Sequence, residues 1–199
     1  MRASRIPVAL SCLAMACATP ETPPVAAPAP APSVQPPNWK LFSVSPGTGN
    51  TLQATAGGGQ LTALIQGRNV SGPVTNLDVT PGHVRGVGAS GRSVDVGIKG
   101  NKAEGLVGMT LFSCVVDILP DGSAHITGVM GPGLTDYTLS PQTINGHIGV
   151  AVYQLSWNGS QYQGPMEPGG LGVVKLPAAM AGWSDVEAAT VLSLLLMGG

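Results

Sequence analysis

The sequence predicts an all-β domain: an antiparallel up-and-down meander of about twelve short strands, closed as a barrel, a flattened barrel or a sandwich, with one apolar C-terminal helix packed in it or on it. Three observations carry that expectation. An apolar-x-Gly-x-apolar pattern recurs at Gly72, Gly86, Gly105, Gly128, Gly146 and Gly164, at spacings of 14, 19, 23, 18 and 18 residues. Turn residues interrupt the apolar runs between these glycines. Behind them the chain ends in a segment, Val186 to Met197, that is apolar on nearly every side.

The turns fix the register of each hairpin, and the register tests the alternation. Gly67-Arg68 sets Ile65 against Val70 and Ala63 against Gly72; Pro81-Gly82 sets Val79 against Val84 and Leu77 against Gly86. Gly100-Asn101 aligns Ile98 with Ala103, Val96 with Gly105 and Val94 with Val107. Leu119-Pro120-Asp121-Gly122 reads as a type I turn with a glycine bulge, pairing Val116 with Ile126 and Cys114 with Gly128. Pro141-Gln142 sets Leu139 against Ile144 and Tyr137 against Gly146. Asn158-Gly159, taken as a two-residue loop, sets Leu155 against Tyr162, Tyr153 against Gly164 and Ala151 against Met166. Each hairpin then has one face of small and apolar residues, while Asp95, Lys99, Lys102, Glu104, Asp136, Asn145, Gln154, Gln161 and Gln163 fall on the other. A membrane barrel carries its apolar residues outside, so this pattern reads as a soluble domain.

Ser184 and Glu187 have capping-box spacing, and the helix they start has almost no polar face until Gly198. A helix apolar all round is buried all round. Its length of about 18 Å matches strands of about 20 Å, so it fits inside a barrel, against the inward glycines, as well as on a sandwich. A meander closed around such a helix resembles the Tubby-type barrel in shape. The stretch Asn158 to Gly164 resembles one half of a MORN hairpin repeat, which implies repeated hairpins and nothing about function.

The N-terminal residues 1–16 have the layout of a secretory signal peptide, with Arg2 and Arg5 ahead of an apolar run. Leu13-Ala14-Met15-Ala16-Cys17 resembles the lipobox of bacterial lipoproteins, with Ala14 where Leu is usual. That resemblance implies that Cys17 is acylated and becomes the new N-terminus. Ala18, where an Asp resembles an inner-membrane retention signal, points to the outer membrane. Ala14-Met15-Ala16 also fits the small-x-small rule of plain secretion or periplasmic release. Residues 17–38 form a tether with eight prolines between Thr19 and Pro37, a semi-rigid spacer of up to about 60 Å. The β-hairpin domain follows over 39–177, and 178–199 is its helical segment.

Without the leader the chain holds 7 basic and 10 acidic residues, a net charge of −3, which disfavours nucleic acid or an anionic membrane as an electrostatic partner. Cys114 faces inward without a partner, so no disulfide is expected. His83, His125 and His147 fall on separate strands of the outer face, too far apart for one metal, and no cofactor motif occurs. Asp117 opposite His125 is the one pair with the chemistry of a hydrolytic dyad, against the commoner reading of a cross-strand ion pair. Trp157 and Tyr162, flanking a turn, are the candidates for binding a glycan or an apolar ligand. The expected function is therefore an envelope-anchored, non-catalytic lipoprotein, held to the membrane by its lipid, whose β domain binds an envelope protein or glycan or builds a surface. The alternatives are an envelope hydrolase using Asp117 and His125, and a carrier of an apolar ligand.

Overall fold

A computed structural model describes residues 50–56, 59–176 and 183–197. The leader, Cys17 and the tether lie outside the described residues. Fourteen antiparallel strands follow one another around a closed barrel: β1 (Thr51–Ala56), β2 (Gly59–Gln66), β3 (Asn69–Ser71), β4 (Asn76–Thr80), β5 (His83–Val87), β6 (Ser93–Lys99) and β7 (Lys102–Val107) form the first half. The second half is β8 (Thr110–Ile118), β9 (Ala124–Met130), β10 (Gly133–Leu139), β11 (Thr143–Ile148), β12 (Ala151–Trp157), β13 (Tyr162–Glu167) and β14 (Gly170–Lys175). The sequence marks twelve of these. The two without a glycine marker, β1 and β14, pair with each other through Ala54 and Val174 and close the sheet. Closure leaves no strand edge unpaired, which decides for a barrel over a sandwich.

Five of the six hairpins have the register their turns predict, from Ile65 opposite Val70 to Tyr137 opposite Gly146. The sixth differs. Trp157, not Leu155, lies opposite Tyr162, and Tyr153 lies opposite Met166. The Asn158 side-chain oxygen accepts from the Ser160 and Gln161 amides at 3.1 Å, which stabilises a four-residue loop in place of the expected two. The slip is by two residues, so every side chain keeps its face.

The helix α1 (Asp185–Leu196) runs inside the barrel, and all ten residues from Glu187 to Leu196 are buried. Its partners surround it: Arg68 of the β2–β3 turn, Gly82 of the β4–β5 turn, Tyr137 of β10 and Tyr153 of β12. Ser184 caps it as expected, its hydroxyl accepting from the Glu187 amide while the Glu187 carboxylate accepts from the Ser184 amide. Of the two uses expected of an inward glycine, a sharp bend of the strand or the close approach of another element, the main-chain contacts at Gly146 and Gly128 fit the first. A Cβ at Gly146, where φ is +125°, would collide with the Asp136 carbonyl and lie 2.9 Å from Tyr137 Cβ. At Gly128 it would lie 2.7 Å from Cys114 Cα. What the glycine admits is the preceding strand's main chain, which lets the hairpin coil tightly, rather than the helix.

Candidate functional site

Several polar contacts inside the barrel hold the helix. Tyr137 Oη donates to Ser193 Oγ at 2.7 Å, and Ser193 donates on to the Ala189 carbonyl at 2.8 Å. Burial pushes the Tyr137 hydroxyl well above the usual phenol range and the Cys114 thiol up to about 12, so neither supplies a nucleophile near neutral pH. Where the helix enters, Glu187 accepts from Arg68 Nη2 at 2.7 Å and from the Gly82 amide at 3.2 Å. Trp183 Nε1 donates to the Gly67 carbonyl, and the Arg68 guanidinium lies 5.9 Å over the Trp183 ring. Burial acts to raise the Glu187 carboxyl, but the Ser184 and Gly82 amides and Arg68 outweigh it and hold its pKa below the ordinary value.

On the outer wall, Asp117 and His125 do stand opposite each other in the ladder. The His125 imidazole nevertheless turns the other way, its Nε2 lying 2.9 Å from Asp136 on β10, and Asp117 accepts from Asn101 Nδ2 at 2.9 Å. The same motif recurs on β5 and β6, where His83 Nε2 lies 2.6 Å from Asp95 and this hydrogen bond lowers the Asp95 pKa. Both pairs are cross-strand contacts on an exposed wall. His147 sits on β11, and among the described residues no three His, Cys, Asp or Glu side chains converge on a metal-sized point.

Trp157 and Tyr162 meet edge to face at 5.1 Å, and Tyr162 is fully buried with its hydroxyl on the Ser140 carbonyl. Neither face of that ring is open to a ligand. The pair closes the core beneath its turn instead.

The two ends of the barrel differ in kind. Turns at the end where α1 enters carry Arg68, Asn101, Asp121, Gln142, Asn158 and Gln161. Those at the opposite end are Gly72 to Thr75, Gly88 to Arg92, Gly108-Met109, Gly131-Pro132, Gly149-Val150 and Pro168-Gly169. Met109 is fully exposed, Val150 is 75% exposed and Leu134, at the start of β10, 69%. Cross-strand pairs Leu106–Leu111 and Val129–Leu134 extend this apolar surface onto the adjoining wall. At the mouth lies a recess of about 270 Å³ lined by Arg92, Val107, Thr110, Pro132 and Met197. Turn residues that face water are ordinarily polar, so this end is where the surface departs most from expectation. The signal stands in the sequence as Gly-Met, Gly-Pro and Gly-Val turns, and a reading directed at the inward face passes over it.

Comparison with protein-family models, with curated proteins and with solved structures finds no match.

Proposed function

We propose that this chain is an envelope-anchored, non-catalytic lipoprotein, tethered to the outer membrane through acylated Cys17, whose β-barrel works as a binding or structural module through its outer surface. The observation that carries this reading is the filled interior: α1 occupies the space in which a barrel of this kind would hold a ligand. That supports a role performed outside the barrel over internal carriage of an apolar molecule. The lipobox-like segment and the proline-rich spacer support the anchor. The outer wall supports a surface exposed to water, since Asp78, Arg85, Asp95 and Glu104 lie on it where a membrane barrel would be apolar.

Labelling cells with radioactive palmitate tests the anchor: the wild type takes up label and Cys17→Ala does not, and equal labelling of both would sink it. A hydrolytic role is tested by His125→Ala and Asp136→Asn, which leave every envelope phenotype of the wild type unchanged under the non-catalytic reading. Loss of a phenotype in both, with the barrel still folded, would favour the hydrolase.

A further inference from the structure

We propose that the apolar end of the barrel docks on the surface of a phospholipid bilayer. This deepens the reading of an anchored domain by naming what its surface meets, and it rests on different residues from the anchor. The side chains in question are Val74, Met109 and Val150 at the tips of turns, with Leu111, Leu134 and Leu171 at the adjoining strand starts. Tip residues project past the sheet along the barrel axis. They come from strands spaced around the circumference, from the β3–β4 turn to β14, so a flat surface covers them together and a partner lying against one wall does not.

Charge points the same way. Among the described residues Arg92 is the single formally charged side chain in these turns; it is exposed, lines the mouth recess and forms no ion pair among those residues. A lone cation set among apolar tips complements a layer of phosphate headgroups over acyl chains, into which such side chains sink by about 5–10 Å. Glu167, at the end of β13, is the acidic neighbour that a bilayer would leave in the headgroup layer.

The chain outside the barrel permits the geometry. Asn50 leads into β1 at the opposite end, and 50 − 17 = 33 residue steps separate it from Cys17. Extended, those steps span up to about 110 Å, against about 23 Å for a seven-residue strand. That number of residues is enough to reach from a lipid on Cys17 to Asn50 with the apolar end against the membrane.

The test uses the full chain in vesicles of phosphatidylethanolamine and phosphatidylglycerol, with an environment-sensitive probe on Met109→Cys or, at the other end, on Asn101→Cys. Cys114 is buried and does not compete for the probe. Nitroxide-bearing lipid is expected to quench the probe at 109 several-fold more than at 101, at every protein density. Adding Leu134→Asp and Val150→Asp should bring the quenching at 109 down to the level at 101. Equal quenching at the two positions overturns the proposal. So does shielding at 109 that appears only as protein density rises, since it identifies a second copy of the chain as the occupant. Intact mass reports acylation separately: a chain without the acyl mass fails as a lipoprotein, and the contrast between 109 and 101 is then read on that chain with Cys12 and Cys17 replaced by Ser, added to the same vesicles.

Discussion

At the end where the helix enters, a polar latch of Arg68, Glu187, Gly82, Ser184 and Trp183 holds it; at the other, the helix stops at Met197 among turns rich in Gly, Pro, Val and Met, with Thr75, Ser90 and Arg92 as their polar members. The same hairpin repeat builds both ends, so the fold does not require the difference. Gly108, Gly131 and Gly149 open their turns at φ of +64°, +68° and +62°, a conformation that demands glycine. The next position holds Met109, Pro132 and Val150. Inward residues answer to packing and turn glycines answer to backbone geometry. Met109 and Val150, both largely exposed, answer to no packing inside the barrel, so what they are reports on what the barrel meets.

The largest effect that separates the ends comes from ending the chain at Trp183. Ten buried residues leave the barrel with α1, and the apolar packing they supply outweighs the roughly 5–15 kcal/mol that a whole domain holds in reserve. The expected outcome is a chain with no cooperative thermal transition and with rapid proteolysis at both ends alike. A truncated barrel that melts cooperatively near the wild-type temperature would show that the helix is an insert and not the core.

How much of this is legible in the sequence varies with the kind of constraint. Two-residue turns fix register through covalent geometry, so Tyr137 against Gly146 can be read from Pro141-Gln142 alone. The β12–β13 turn departs from its expected length because Asn158 bonds its own main chain, a choice that a dipeptide does not announce. Gly57-Gly58 and Pro168-Gly169 are turn dipeptides beside β1 and β14, but the pairing of these two strands with each other joins residues more than a hundred positions apart with no turn to set it. For His125 the register names two acidic neighbours, Asp117 across one ladder and Asp136 diagonally across the next. The side-chain rotamer chooses Asp136, and the sequence does not encode that choice in any local pattern.

A smaller effect tests the latch. Glu187→Gln removes the charge that faces Arg68 and leaves one oxygen where the Gly82 and Ser184 amides use two, so one amide loses its acceptor, and we expect a loss of about 1–3 kcal/mol at neutral pH. The folded pKa of Glu187 lies below its ordinary value of 4.5, so the folded chain holds this proton less tightly than the unfolded chain does. Its contribution is therefore complete above pH 4.5 and is lost as pH falls through the folded value. Denaturant titrations of wild type and Glu187→Gln should differ at pH 7 and converge in acid. Curves that stay parallel down to the lowest pH would show that the carboxylate's charge does not secure the helix.

The smallest effect on stability belongs to Met109→Asp. Met109 is fully exposed in its turn, and such surface changes stay within about 0.5 kcal/mol, so the melting curve should be unchanged. A measurable loss would mean that Met109 packs against something within the folded chain, and the apolar end would then owe its composition to the fold. An unchanged melt places the reason for Met109 outside the fold, because a methionine that contributes nothing to stability still exposes apolar surface to water in every folded molecule. Only something that removes that surface from water gives the residue a favourable effect, and that is the physical difference between this end and the latched one.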